Sequence, residues 1–79
     1  MRILKYIAKV QEVDFMIREE KHGVDEIAKK LNVSHSSVYN YLLFMRSLGA
    51  PIEYSRIGKH YFYRYPVKFS FGFKAKDPE

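Results

Sequence analysis

The chain has 79 residues and a mass of 9.4 kDa, enough for one small domain and too few for a second hydrophobic core. Its 47% apolar and 16% aromatic content excludes an intrinsically disordered chain. No apolar stretch is longer than five residues, so neither a membrane span nor the apolar part of a signal peptide is predicted. We therefore expect a folded, cytoplasmic domain with no membrane partner.

Positive charge is concentrated in the second half of the chain. Residues 1–33 carry seven Lys/Arg and six Asp/Glu, a balance of +1. Residues 34–76 carry seven Lys/Arg and a single acid, Glu53, a balance of +6, and Asp77 and Glu79 bring the total to +5. This asymmetry favours a surface that faces a polyanion. The alternative is a net charge that only maintains solubility.

The first half of the chain predicts two helices joined by a short break. Apolar residues at three- and four-residue spacing predict a helix over Ile3–Lys21, which Gly23 ends in a left-handed conformation. Leu4, Phe15 and Met16 lie outside its main apolar stripe. Val24–Leu31 follows as a helix of about two turns, with acids in its first turn and lysines in its last.

A third helix is predicted after a sharp corner. Asn32 tolerates the positive φ that the corner needs, and Ser34 is an N-cap for a helix from His35 to about Leu48, which Gly49 closes. One face of this helix is expected in the core, and it consists of Val38, Tyr41, Leu42, Met45 and Leu48.

Beyond Pro51 the apolar period changes from three-to-four to two. Ile52–Ser55 and His60–Tyr65 predict a β-hairpin whose loop obtains its positive φ from Gly58. Val67–Phe73 alternates apolar and polar residues as a third strand would. The predicted domain covers residues 1–74, and residues 75–79 are expected to be a frayed tail.

The string IAKKLNVSHSSVYNYL, residues 27–42, has the spacing of a helix-turn-helix unit. With the LGAPIEY segment after it, the chain resembles winged helix-turn-helix proteins of the biotin-repressor N-terminal type, over Arg2–Phe73, and above all small stand-alone bacterial proteins. Asn32 stands where that family usually has Gly. The resemblance implies an α+β fold of three helices, a hairpin wing and a short third strand. It also implies transcription regulation through double-stranded DNA, with the third helix in the major groove.

The outward face of the third helix supplies the candidate base contacts, which are His35, Ser36, Tyr39 and Asn40. The Asn40 amide can offer a donor and an acceptor together to adenine. Ser37, near the helix start, suits a phosphate. The alternative is that polar residues only cover an exposed helix, with a solvated His35 and with Tyr39 packed on the hairpin.

Cationic side chains around the hairpin supply the candidate contacts to the DNA backbone, which are Arg46, Arg56, Lys59, His60 and Arg64. The alternative is that Lys and Arg on edge strands prevent aggregation.

The sequence offers no chemistry for catalysis. Its three histidines fall on different predicted elements, cysteine is absent, and no phosphate loop or nucleophile motif occurs. We predict no enzyme activity, no metal, no cofactor and no small-molecule effector. Left-over apolar residues such as Leu4 and Leu43 favour a homodimer.

Two other functions remain open at this stage. The first is a winged helix that binds protein or its own copies through the aromatic strand. The second is RNA binding through KFSFGFK, residues 68–74, whose match to an RNA-recognition strand is poor.

Overall fold

The computed structural model describes residues 2–67, with side chains from Leu4 onwards. Three helices precede one antiparallel hairpin, and the elements are α1 (Arg2–Glu19), α2 (Val24–Leu31), α3 (His35–Ser47), β1 (Ile52–Ser55) and β2 (His60–Tyr63). The predicted α+β winged helix-turn-helix arrangement of helices and hairpin is confirmed. Most of the predicted third strand and the whole tail lie outside the described residues.

The corner between α2 and α3 forms as the sequence predicts. Asn32 has φ 58° and ψ 50°, a left-handed conformation, and the backbone N–H of Val33 donates to the Ala28 carbonyl at 3.0 Å. The Ser34 hydroxyl oxygen accepts from the backbone N–H of Ser37 at 3.1 Å and caps α3. These two local interactions fix the direction in which α3 leaves the turn.

The end of α1 differs from the prediction. The helix ends at Glu19, and the positive φ belongs to Glu20 (55°), whereas Gly23 has φ −100° and is the N-cap of α2. The φ of Gly23 is one that any residue can adopt, and its lack of a side chain instead relieves crowding. A Cβ on it would lie 3.1 Å from the Lys59 carbonyl oxygen, because the hairpin passes over it.

The hairpin loop also differs in its backbone. The positive φ is that of Lys59 (57°), not of Gly58. Gly58 lies beneath the His60 ring, where a Cβ would be 2.5 Å from Cδ2, so its lack of a side chain makes room for that ring. The second strand stops at Tyr63, because β1 begins at its partner Ile52 and leaves nothing for Tyr65 to pair with.

The core is formed by all three helices and both strands, and its buried members are Val10, Val13, Met16, Ile17, Ile27, Ala28, Leu31, Val38, Tyr41, Leu42, Met45, Ile52 and Tyr61. Two predictions of burial were wrong. Leu48 is 55% exposed, because the helix has ended before it and a Schellman turn at Gly49 takes the chain away. Met16, predicted to lie outside the main apolar stripe of α1, is buried, and it lines a groove between α1 and α2 together with Lys30.

The hairpin is fastened to the helices by polar contacts as well as by apolar packing. The Tyr63 hydroxyl donates to Asp14, and Arg18 lies over the Tyr63 ring at 5.1 Å while its Nε contacts both Asp14 oxygens at 3.1 Å. The backbone N–H of Tyr61 donates to the His22 carbonyl at 3.0 Å. Asp14 therefore lies on the inward side of α1, where its carboxylate accepts a hydrogen bond from the second strand.

Asn32 allows a first test of the corner, because its side chain is exposed and only its backbone conformation is demanding. Asn32→Ala should lower the free energy of unfolding by about 1 kcal/mol, since Ala disfavours the left-handed region. Asn32→Gly should leave it unchanged or slightly higher. Urea unfolding followed by circular dichroism measures both, and equal losses for the two variants would contradict this account.

Tyr63 allows a second test, of the hairpin contact. Burial, followed by the hydrogen bond to Asp14, raises the pKa of Tyr63. The folded state thus holds this proton more tightly than the unfolded state, so the stabilisation is present below pH about 10 and is lost as the pH rises towards the raised pKa. Tyr63→Phe should cost about 1–2 kcal/mol at neutral pH.

Between pH 9 and 11, the free energy of unfolding should fall less for Tyr63→Phe than for the natural chain, since the variant lacks the Tyr63 phenol. Urea unfolding across that range measures the difference. Tyr65→Phe, at an exposed tyrosine outside the hairpin ladder, is the matched control and should behave as the natural chain does.

Candidate nucleic-acid interface

The polar face of α3 is open to solvent. His35, Ser36, Tyr39 and Asn40 are all exposed, and they occupy the first two turns of the helix. Val38 and Tyr41, on the opposite side, are buried and hold the helix on the core. The helix therefore presents the predicted base-contacting residues on one accessible surface.

His35 has a partner within the protein. Its Nε2 lies 2.8 Å from the Asp25 carboxylate, and both side chains are exposed. This contact joins the first turns of α2 and α3. If His35 Nε2 contacts a base, it must first give up its contact with Asp25. Ser36 and Asn40 have no described partner that a base would have to replace.

Tyr39 lies between the base-contacting face and the hairpin. About half of the residue is exposed, and its hydroxyl neighbours that of Tyr61 on β2. The pKa of Tyr61 is raised, first by burial and then by the neighbouring Tyr39. The ring therefore covers part of the hairpin and still has a free edge, so the two predicted roles of Tyr39 are compatible.

Ser37 is partly buried beside the helix N-cap. Its backbone N–H donates to the Ser34 hydroxyl oxygen, and the Ser34 hydroxyl donates in turn to Ser37 Oγ at 3.2 Å. Because Ser37 Oγ accepts in this pair, its own hydrogen can be donated elsewhere. A phosphate oxygen at the start of α3 would be a suitable acceptor.

The hairpin tip carries an exposed cationic loop of defined shape. Arg56 and Lys59 are both exposed. Ser55 braces the loop from within, because its hydroxyl accepts from the Gly58 N–H at 3.0 Å and its carbonyl accepts from the Lys59 N–H at 2.7 Å. The two cations are therefore held at the end of a compact turn.

Ile57 at the same tip is 96% exposed and was not predicted as a site residue. A single exposed aliphatic side chain is common on protein surfaces, so Ile57 is of interest only because it lies beside Arg56 at the tip of the hairpin. The signal available in the sequence was an apolar residue in the middle of a turn and directly after Arg56. Apolar side chains at such positions can press against sugars or between base steps in a minor groove.

The other predicted backbone contacts are engaged inside the protein. Arg46 donates from Nε and Nη2 to the Ile52 carbonyl at 3.4 Å, which fastens the start of β1 to α3. Arg64 pairs with Glu53 across the hairpin at 2.8 Å. The His60 ring is partly buried against Gly58 and Phe62. Arg56 and Lys59 are thus the cations best placed to meet a phosphate.

Among residues 2–67, no three His, Asp, Glu or Cys side chains come together as metal ligands. His22 contacts Glu19 and Glu26, and its hydrogen bond lowers the pKa of Glu19. In the same part of the chain, no helix combines the length and apolarity needed to cross a membrane.

Two helices joined by a left-handed corner, an exposed polar helix face and a hairpin with a cationic tip define a helix-turn-helix protein with a wing. Comparison with protein families agrees, since a model described as "HTH domain" matches residues 13–62, more than half of the chain. The chain belongs to this helix-turn-helix domain family, whose members are typically DNA-binding and non-enzymatic. Comparison with curated proteins and with solved structures gave no match. The narrower likeness to the biotin-repressor type stays a prediction.

Glu53 offers a test of the wing, because it neutralises Arg64 and is the only acid between residues 34 and 76. Glu53→Gln should strengthen binding to a short random duplex severalfold at low salt. It should also steepen the slope of the logarithm of the binding constant against log[salt] by the amount expected for about one additional phosphate contact. Fluorescence anisotropy at several salt concentrations measures both quantities.

Glu12→Gln on the exposed surface of α1 makes the same change in net charge away from the wing. A duplex too short for two protomers isolates the effect on one domain. If both variants gain affinity equally, net charge and not the wing is responsible.

Proposed function

We propose that the protein is a transcriptional regulator that binds double-stranded DNA in a sequence-specific manner. In this proposal α3 enters the major groove, and Asn40 and Ser36 contact bases together with the flanking His35 and Tyr39. The observation that carries it is the accessible polar face of α3 in a chain of the helix-turn-helix domain family. Winged proteins of this kind place their second motif helix in the groove.

The backbone contacts of the proposal come from several parts of the fold. Arg56 and Lys59 approach phosphates from the wing, and Ser37 donates from the start of α3. Arg46, Arg64 and His60 contribute at the edges, where their internal partners can be exchanged for phosphate oxygens. The excess charge of residues 34–76 steers the domain towards DNA before specific contacts form.

The proposal includes a homodimer bound to a two-fold symmetric operator, with half-sites about one helical turn of DNA apart. The DNA-binding unit is assigned to residues 1–74. Resemblance to small stand-alone bacterial proteins supports a bacterial regulator that works in the cytoplasm.

Salt dependence separates this function from the second candidate, a winged helix that binds only protein or its own copies. With four to eight phosphates engaged, the logarithm of the binding constant should fall against log[salt] with a slope of about −4 to −7. A flat slope, or no binding of duplex at low salt, would favour the protein-binding module. Among residues 4–67, eight large apolar side chains are exposed, and these favour the second candidate.

A pair of variants tests the division between bases and backbone. On a duplex chosen by in vitro selection, Asn40→Ala should cost about 1–3 kcal/mol of binding free energy and should cost little on random DNA. Lys59→Ala should weaken both duplexes alike. Ser47→Ala, at an exposed position later on α3, is the control. Equal losses of Asn40→Ala on both duplexes would reject its contact with a base.

A further inference from the structure

An apolar strip runs along the outside of α1, away from the core. Leu4 and Phe15 are 63% and 64% exposed, and Ala8 and Gln11 between them are exposed as well. We call Leu4, Ala8, Gln11 and Phe15 the α1 seam. Their spacing of four, three and four residues is that of the contact positions of a coiled coil.

The seam lies on the side of α1 opposite to α3. Tyr6 packs edge to face on Tyr41 and Phe44 of α3, with ring centroids 5.1 and 5.4 Å apart. At about 100° per residue, the centre of the seam lies about 170° around α1 from Tyr6. A partner on the seam would therefore not compete with α3.

The surface beside the seam has room for a partner's side chains. A shallow groove of about 460 Å³ opens between α1 and α2, and Ala8, Phe15 and Lys30 are among its lining residues. Ala8 fills little of the space next to Phe15, because its side chain is a single methyl group. An aliphatic side chain from another helix can enter there.

We infer that a second copy of this chain occupies the seam, with the two α1 helices antiparallel. This inference rests on the proposed homodimer and names its surface, and it does not depend on DNA binding. In such a pair Leu4 packs against the partner's Phe15 and Ala8 against the partner's Gln11. Each contact occurs twice about the two-fold axis, as a symmetric dimer requires.

Charge decides the direction of the helices. Lys5 and Glu12 are exposed on the same flank of the seam, seven residues apart. An antiparallel pair brings the same flank of both helices together, so each Lys5 lies near the partner's Glu12. A parallel pair brings opposite flanks together and would leave both charges without this partner, because Ile7 and Asp14 occupy the other flank.

Disulfide trapping tests the inference without background, because the sequence contains no cysteine. Leu4→Cys and Phe15→Cys are made singly in the full chain, mixed in equal amounts without DNA and oxidised. The mixture should give mainly dimers linked between positions 4 and 15, identified by mass spectrometry of the digest. Each variant alone should give at least about fivefold less dimer, since like positions lie too far apart.

Leu43→Cys is the control, because this residue is as exposed as Phe15 but lies on α3. Links between like positions in the single variants would indicate parallel helices and overturn the inference. So would dimer yields no higher than that of Leu43→Cys, which is also the result expected if the remainder of the chain covers the seam.

A charge exchange gives an independent measurement. By sedimentation equilibrium, Lys5→Glu and Glu12→Lys should each weaken the dimer about 2- to 20-fold, and the double variant should restore it. Additive losses in the double variant would overturn the antiparallel pairing. If duplex binding persists in a chain that fails both tests, only this inference fails. If the natural chain forms the dimer but binds no duplex at low salt, only the proposed function fails.

Discussion

The turn at Asn32 and Ser34 is the constraint on which the candidate interface depends. A left-handed residue followed two positions later by a helix cap allows the chain to turn sharply within three residues, and the backbone N–H groups of Asn32, Val33 and Ser37 have acceptors there. α3 then begins at the surface, and the polar side of its first two turns faces solvent. If the turn opened, Val38 and Tyr41 would leave the core together with the polar face that they position.

The wing depends on a second set of contacts, which are mostly polar. The small core offers limited apolar area, so the hairpin is also held by the Tyr63 hydroxyl on Asp14 and by Arg46 on the Ile52 carbonyl. The contacts of Arg46 and Arg18 use cations that would have to exchange these partners before they could meet DNA. They divide the basic residues into braces at the base of the hairpin and free cations at its tip, a division that net charge alone does not reveal.

Local rules were sufficient for most of the fold. The corner at Asn32, the Ser34 cap and the end of α3 at Gly49 each follow from a preference of one residue for one backbone conformation, which is visible in the sequence. The roles of Gly23 and Gly58 were predicted wrongly, because neither glycine has the positive φ expected of it. A side chain at Gly23 would crowd the Lys59 carbonyl, and one at Gly58 would crowd the His60 ring, and neither neighbour is visible from backbone preferences alone.

The candidate site was predictable to a similar degree and for the same reason. Helical periodicity separates the exposed Ser36 and Asn40 from the buried Val38, because it depends only on spacing. The pairing of His35 with Asp25 needs the angle between α2 and α3, and spacing does not contain it. Ile57 could not be identified as a candidate contact from the sequence, because its exposure is known only once its neighbours in space are known.

The first helix connects these findings, since its two sides have separate tasks. The inward side carries Val10, Val13 and Ile17 and supports α3 through Tyr6, whereas the outward side carries the α1 seam. On α3, Asn40 lies about 100° around the helix from Tyr41, the residue that meets Tyr6, so the proposed base-contacting face points neither at α1 nor at a partner bound to it. A dimer built on α1 therefore leaves both polar faces accessible. One 18-residue helix thus separates the proposed dimer surface from the proposed DNA-contacting surface.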